Sequence, residues 1–203
     1  MRRILLLGLL VCAAAPAGDD VKLFFREDWA ESPPAIPVTE EHLTNKDLAL
    51  SLHGPGRFVI KKSYHVFVPD DPHYIWSGLC DGTWAVSLRK KNAMVDLTKG
   101  RVQWRSKQAG FRQLRVIVKT ADGKWLVSDA SDGPSEDWRI HEFVMANIHW
   151  RDLDIENVVE GPWVPGADLS RVVEVGFTDL MTGGHSRACS RLDWIEVYGD
   201  PVD

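Results

Sequence analysis

The chain has 203 residues, 44% of them hydrophobic, with a formal net charge of −5, which is enough for one ordinary domain with its own core. The acidic balance argues against nucleic acid as a partner, because phosphate binding requires a basic face. It does not favour attachment to anionic membrane surfaces either.

The N-terminal segment has the three parts of a secretory signal peptide. Arg2-Arg3 forms a positively charged start, Ile4–Ala15 is an apolar run of 12 residues, and Ala-Pro-Ala at 15–17 supplies the small residues of a cleavage site. The apolar run is too short to span a bilayer. We therefore predict a secreted or periplasmic protein without membrane insertion after cleavage. Its two parts are a signal peptide over residues 1–17 and a single β-sandwich domain over residues 18–203.

Two cysteines remain after cleavage, because Cys12 leaves with the signal peptide. An even number of cysteines in an oxidising compartment predicts a disulfide, here Cys80–Cys189. The alternative is two buried free thiols, which behave as small hydrophobic side chains. The sequence has no C-x-x-C motif, so neither a zinc site nor a redox site is expected.

Short segments of alternating apolar and polar residues follow one another along the rest of the chain. The first β-rich segment, Arg57–Val68, ends at a Pro-Asp-Asp-Pro turn cluster. Asp81-Gly82, between segments 74–80 and 83–89, is a hairpin signal. Segment 43–52 fits either a strand or a short helical turn. Six further segments are predicted strands, at 101–107, 113–120, 124–128, 142–146, 171–178 and 191–198.

The predicted fold class is all-β. Eight to ten short strands separated by clusters of Gly, Pro and Asp are typical of an antiparallel β-sandwich or barrel, here with one or two short helical turns. No repeat of 20 to 50 residues is visible in the sequence, which argues against solenoids and propellers.

The C-terminal third carries a recognisable order of motifs. Asp-Leu-Ser-Arg-Val at 168–172 is followed by Val175-Gly176-Phe177 and by Asp-Trp-Ile-Glu-Val at 193–197. Over roughly residues 138–198 this order resembles the galactose-binding-like jelly rolls of many carbohydrate-binding modules. The opening Leu23-Phe24-Phe25 and the whole plan resemble, more faintly, secreted sugar-active proteins of the 3-keto-disaccharide hydrolase type. The resemblance implies a jelly roll with a saccharide as its partner.

The resemblance also implies a structural Ca²⁺ site. Galactose-binding-like modules often tie the N-terminal segment to the last strand with calcium, and here Glu27 or Asp28 is expected to meet Asp193. Calcium requires six to eight oxygen ligands. The alternative is a solvated acidic pair, or a salt bridge to Arg26 or Arg191.

Nine tryptophans in 203 residues make a saccharide site plausible on chemical grounds. Flat aromatic faces pack against the C–H patches of sugars, while sugar hydroxyls bond to Arg, Asp, Asn or Gln. Most of the nine are nevertheless expected in the core. The predicted ligand-binding residues are Trp104, Arg105, Gln113 and Arg115 as a platform, Trp76 and His185 at its rim, and Asp179 beside His185.

The platform depends on strand pairing. If the strands that carry Arg105 and Arg115 pair, these two side chains share one face of the sheet. An arginine fork suits carboxylates and sulfates, so an acidic sugar is one option, and an ordinary solvated face is the alternative. Trp104 is two residues from Val102 and faces the same side of the predicted strand, that is, it has the same parity. The alternative is therefore that Trp104 is a core residue.

Signals for catalysis are weaker. A glycosidase needs two carboxylates across the scissile bond, but Asp193 and Glu196 are three residues apart on one predicted strand and face opposite sides. The sequence contains no G-x-S-x-G, H-E-x-x-H or phosphate-loop motif. We therefore favour a non-catalytic saccharide-binding module and assign no catalytic residue. The alternatives are a jelly-roll glycoside hydrolase or polysaccharide lyase that uses His185, Arg115 and a carboxylate, and a structural or protein-binding envelope module.

Overall fold

The structure is a computed structural model that describes residues 21–65, 67–68, 72–79, 82–181 and 188–202. These ranges contain thirteen strands and three short 3₁₀ helices, the latter at Glu40–His42, Pro55–Val59 and Met145–Asn147. The strands are β1 Leu23–Glu27, β2 Leu48–His53, β3 Lys61–Ser63, β4 Tyr74–Trp76, β5 Trp84–Lys90, β6 Met94–Gln108, β7 Leu114–Thr120, β8 Trp125–Asp132, β9 Arg139–Val144, β10 Trp150–Asp154, β11 Val159–Trp163, β12 Val172–Asp179 and β13 Ser190–Val202. None of the helices in this part of the chain has the length and apolarity needed to cross a membrane.

Two antiparallel sheets make up the fold. The larger one, called the large sheet here, has the strand order β2-β5-β12-β7-β8-β10-β11. In the small sheet, β13 pairs with β6 along most of its length, β9 lies on the other side of β6, and β1, β4 and β3 complete the layer. A bridge between Val172 and Val95 joins the two sheets. The predicted all-β sandwich is therefore confirmed.

The core lies between these two layers because one side of each strand is apolar. On β6, Val102 and Trp104 are buried, while Gln103 and Arg105 are partly exposed, as the two-residue period of a strand requires. Trp104 meets Phe177 of the large sheet with ring centroids 6.3 Å apart, and Trp84 meets the same ring at 6.0 Å. The edge-to-face contact of Trp104 with Phe177 joins the two sheets, whereas that of Trp84 with Phe177 joins two neighbouring strands of the large sheet.

The outer face of the large sheet has a smaller apolar cluster of its own. It includes Ile117, Trp125, Val127 and Val158. Val158 lies in the turn between β10 and β11, and that turn reaches back to the chain entering β5, where the Thr83 hydroxyl donates to the Asn157 carbonyl at 2.6 Å. The β10–β11 hairpin therefore folds over the outer face and makes it concave.

Gly176 is required by a close approach of two strands. A Cβ atom at this position would lie 2.0 Å from the carbonyl oxygen of Val86 on β5, a distance that no side chain can occupy. A larger residue would separate β12 from β5. Close packing of these two strands therefore explains why glycine stands at the centre of the predicted strand motif Val175-Gly176-Phe177.

Most strand predictions are confirmed, with three differences. Arg57–Val68 is not one strand, because Pro55–Val59 forms a 3₁₀ helix and β3 covers Lys61–Ser63 alone. The predicted hairpin at Asp81-Gly82 is wrong, since β4 pairs with β3 and β13 whereas β5 pairs with β2 and β12. Segment 43–52 contains a strand, β2, and sequence reasoning missed β1, β10 and β11.

Candidate functional site

Trp163 is the most exposed of the nine tryptophans. Its side chain is 53% exposed, whereas Trp29, Trp84, Trp104 and Trp150 are each less than 5% exposed. An aromatic ring that stays in solvent at a concave position is the kind of surface that a ligand with apolar patches covers. Trp163 therefore marks the place to look for a site.

Local sequence explains why this ring is presented outward. Trp163 ends β11, the edge strand of the large sheet, and it follows Pro162, which cannot donate to a further strand. Arg151 of β10 is its cross-strand partner. The Arg151 guanidinium carbon lies 4.8 Å from the centre of the indole ring, and its Nε donates to the Gly161 carbonyl at 2.9 Å. These contacts hold the ring in a fixed orientation.

A polar cavity of about 210 Å³ opens beside Trp163 on the outer face of the large sheet. Cross-strand neighbours point to the same side of a sheet, so pairing of Arg115 with Ser131, and of Arg151 with Trp163, collects side chains from β7, β8, β10 and β11 here. The lining residues are Gln113, Arg115, Asp129, Ser131, Arg151, Glu160 and Trp163.

Charges in the polar cavity are already balanced within the protein. One Glu160 oxygen lies 2.8 Å from Nη1 of Arg115, and the other lies 3.6 Å from Nη1 of Arg151. Arg115 also donates through Nε to the carbonyl of Ser128. Glu160 therefore bridges two guanidinium groups and fixes both.

A bulge in β8 places Asp129 at the edge of the cavity. The register between β7 and β8 shifts between Arg115 and Ile117, and such bulges redirect a side chain. The Asp129 carboxylate accepts the backbone N–H of His149 at 3.0 Å and lies 3.1 Å from its ring Nδ1. Asp129 thus lines the polar cavity with His149 as its own partner.

A second, larger cavity of about 540 Å³ adjoins the first, and both include Asp129 and Trp163. We call it the apolar groove. It runs between the 3₁₀ helix Met145–Asn147 and the segment that follows β11. Its main apolar lining residues are Met145, Ile148, Trp150, Val164, Ala167 and Leu169.

Of the predicted platform residues, Gln113 and Arg115 come together in the polar cavity. The Gln113 side-chain oxygen accepts the Ser131 hydroxyl at 3.2 Å. Gln113, Arg115 and Glu160 thus place amide, guanidinium and carboxylate groups beside the exposed ring of Trp163. This combination suits hydrogen bonding to hydroxyl groups on a ligand that also has apolar C–H surface.

The other half of the predicted platform is wrong. Trp104 is fully buried, and its Nε1 donates to Asp132 at 3.0 Å, so it is the core residue that its parity with Val102 allowed. Arg105 pairs with Asp193 at 2.7 Å in the small sheet. Arg105 and Arg115 share no face, because β6 lies between β9 and β13 whereas β7 lies between β8 and β12.

Trp76 and Asp179, predicted at or near the rim, also lie away from the polar cavity. Trp76 on β4 is half-buried, with the Lys61 ammonium 3.6 Å from its ring centre. Asp179 is fully buried, where it meets Arg112 at 3.3 Å and accepts the Ser190 hydroxyl at 3.0 Å. Burial raises the pKa of Asp179, although Arg112 and Ser190 each act to lower it. Asp179 is thus a structural carboxylate, and His185 lies outside the described residues.

The three carboxylates predicted for calcium each have partners in the protein. The buried Glu27 carboxylate accepts backbone N–H groups of Trp29 at 2.7 Å and Thr44 at 2.8 Å. Asp28 forms a salt bridge with Arg26, the predicted alternative, and Asp193 pairs with Arg105 as described above. The described ranges contain no group of three or more His, Cys, Asp or Glu side chains placed to hold a metal ion. Calcium binding stays a prediction.

The disulfide also stays a prediction. Cys189 is buried, whereas Cys80 lies outside the described residues. Ser77 and Ser190 are neighbours, because the Ser77 N–H donates to the Ser190 carbonyl at 3.1 Å and the Ser190 N–H donates to the Ser77 hydroxyl at 3.0 Å.

Sequence reasoning missed five residues of the site, namely Asp129, Ser131, Arg151, Glu160 and Trp163. They belong to β10, β11 and the bulged part of β8, where apolar alternation is weak. One signal was available: Trp163 stands between Pro162 and Pro165, and a large aromatic residue in a proline-rich segment is seldom a core residue of a central strand.

No protein-family model matches the sequence, and no curated protein matches it either. Solved structures do. A family 11 carbohydrate-binding module of the cellulosomal cellulase Lic26A-Cel5E of Clostridium thermocellum matches with a TM-score of 0.50 at 15% identity, over 84% of this chain and 97% of that one.

Two further structures are similar with lower scores. A Clostridium thermocellum family 11 module in complex with a β-1,3-1,4-mixed-linked tetrasaccharide has a TM-score of 0.48 at 14% identity, over 84% of this chain and 98% of that one. A variant of the family 29 module CBM29-2 has a TM-score of 0.46 at 12% identity, over 85% of this chain and 91% of that one. The chain therefore has a jelly-roll fold like that of carbohydrate-binding modules.

Proposed function

We propose that the chain is an exported, non-catalytic saccharide-binding module whose site is the polar cavity beside Trp163. The observation that carries this proposal is the exposed, oriented indole ring next to a ring of planar hydrogen-bonding groups. The ring covers a C–H face of the sugar, while Gln113, Arg115 and Glu160 bond to its hydroxyls.

The balance of charge favours a neutral sugar. Glu160 already engages Arg115 and Arg151, and Asp129 adds a second negative charge at the edge of the cavity. An anionic sugar has to compete with Glu160 for the same guanidinium groups and meets repulsion from both carboxylates. Neutral hydroxyls bond to these groups without displacing them. This makes the acidic sugar allowed by the sequence the less suitable ligand.

The fold gives general support. Carbohydrate-binding modules use this jelly-roll architecture, although one fold serves many functions and the site has to carry the argument. The contacts available are few, with one stacking ring and several hydrogen bonds. The expected affinity is therefore modest, on the order of micromolar to millimolar.

Isothermal titration calorimetry of the mature chain against a panel of neutral and acidic oligosaccharides tests the proposal. Trp163→Ala is expected to weaken binding of a neutral ligand about tenfold or more, since loss of a stacking ring is worth at least about 1.4 kcal/mol here. Phe58→Ala is the matched control, because Phe58 is an equally accessible aromatic residue, 63% exposed, in the 3₁₀ helix before β3.

Three results would contradict the proposal. One is absence of binding across the whole panel. Another is an equal loss of affinity in the Phe58→Ala variant, which would separate binding from the cavity. The third is release of shorter products from the bound oligosaccharide, which would make the module an enzyme. Export is tested separately, by mass spectrometry of secreted material, where an N-terminus near Gly18 is expected and an intact Met1 would refute cleavage.

A further inference from the structure

The apolar groove is too large and too apolar to be a simple extension of the sugar site. Its floor is built from Met145, Ile148, Trp150 and Leu169, all buried core residues whose outermost atoms line the groove. At about 540 Å³ it is more than twice the volume of the polar cavity. Open apolar concavities of this size usually mark binding sites.

Sugar hydroxyls would find few partners in this groove. The polar side chains in its lining are Thr98, Asp129 and His149. The Thr98 hydroxyl already donates to Asp96, and Asp129 is paired with His149. A hydroxyl that leaves water without a new hydrogen bond costs free energy, so a ligand consisting of sugar alone gains little by filling the groove.

The two cavities meet at shared lining residues, which limits what a common occupant can be. Asp129 and Trp163 line both of them, so the indole ring stands between a polar compartment and an apolar one. A single ligand that lies across Trp163 therefore needs a polar end and an apolar end.

We propose that the natural ligand is an amphiphilic glycoside, whose sugar lies in the polar cavity and whose alkyl substituent lies in the apolar groove. This deepens the proposed function and rests on it. Each methylene group that the groove removes from water strengthens binding up to about fourfold. The apolar substituent then supplies most of the affinity, and the sugar supplies orientation and selectivity.

Calorimetry with methyl, hexyl and octyl β-D-glucopyranosides and β-D-galactopyranosides, each below its critical micelle concentration, tests the inference. We expect the octyl glycoside of at least one sugar to bind at least tenfold more tightly than the methyl glycoside, with the hexyl glycoside in between. Ala167→Trp and Ala146→Trp, on the two walls of the groove, are each expected to abolish that gain. Ala49→Trp, on β2 at the opposite edge of the large sheet, is the matched control and should retain it.

Three other results would overturn the inference. Equal affinity for methyl and octyl glycosides would show that the groove is unused, while the proposed saccharide site, tested with free oligosaccharides, would stand. Absence of binding by all the alkyl glycosides would also refute it. Octanoate binding as tightly as the octyl glycosides, with no loss in Trp163→Ala, would show a purely apolar site and would contradict the proposed function as well. Thermal melting of the three variants in which alanine is replaced by tryptophan establishes that each is folded.

Discussion

Replacing Glu160 by Gln should change the charge preference of the site. The substitution removes the carboxylate that lies 2.8 Å from Arg115 and 3.6 Å from Arg151, while the side-chain size is kept. Both ion pairs are partly exposed, so the loss of folding stability should be small, about 1 kcal/mol or less for each. The main consequence is two guanidinium groups without their shared counterion.

The expected gain for an acidic oligosaccharide follows from this geometry. A ligand carboxylate or sulfate near both guanidinium groups no longer competes with Glu160. An unscreened ion pair near a protein surface reaches about 4 kcal/mol at 4 Å, and solvent exposure and salt reduce this to roughly 1–2 kcal/mol, a factor of about 5–30 in affinity. Binding of neutral oligosaccharides should weaken slightly, because one acceptor for hydroxyl groups is lost.

Calorimetry at low and high salt, with one neutral and one acidic oligosaccharide, measures both effects. Glu142→Gln is the matched control, since Glu142 forms a comparable exposed pair with Arg101 at 3.3 Å on the small sheet. The gain for the acidic ligand should appear in Glu160→Gln alone and shrink at high salt. The reasoning is refuted if the two variants behave alike, or if the unmodified protein already prefers the acidic ligand.

Three further predictions concern a buried ion pair, the pH dependence of stability and the disulfide. Asp179→Ala should cost about 3–5 kcal/mol in chemical denaturation, because it leaves the fully buried Arg112 guanidinium without its negatively charged partner; a loss below 1 kcal/mol would contradict this. Burial raises the pKa of Asp193, so the folded state keeps this proton to higher pH than the unfolded chain. The free energy of unfolding of the unmodified protein, taken relative to that of Asp193→Asn, should therefore be highest below about pH 4 and decline as pH rises through the raised pKa of Asp193. A relative free energy of unfolding that increases with pH would refute this reasoning. Cys80 and Cys189 should resist alkylation in secreted protein that is denatured without a reductant and should react only after reduction, and two thiols that react in denaturant alone would exclude the disulfide.

The fold was largely predictable because strand alternation and turn residues are local signals. The parity of Trp104 with Val102 correctly allowed a core position, since alternation along one strand decides which side chains face the same way. Pairing partners are not a local property. The positions of Arg105 and Arg115 on different sheets depend on which strands meet after the chain has turned several times, and the sequence holds no direct record of that.

The candidate site was predictable only in part, for the same reason. Arg115 stands on the outer side of β7 and Gln113 directly precedes that strand, so both could be selected by parity. Asp129 depends on a bulge, and Trp163 depends on an edge strand that contains proline, and both features break the alternation on which the prediction relied. The site residues that were missed are therefore those placed by irregular backbone.

Titration of the nine tryptophan indole N–H signals in a ¹H–¹⁵N NMR spectrum tests the central claim most directly. Nine signals are expected from the sequence, and the Trp163→Phe variant identifies the signal of Trp163. Addition of a bound saccharide should shift the Trp163 signal most, and the signals of the buried Trp29 and Trp84 least. A saccharide that leaves the Trp163 signal unmoved while shifting that of Trp76 or Trp138 would place the binding site elsewhere and contradict the account.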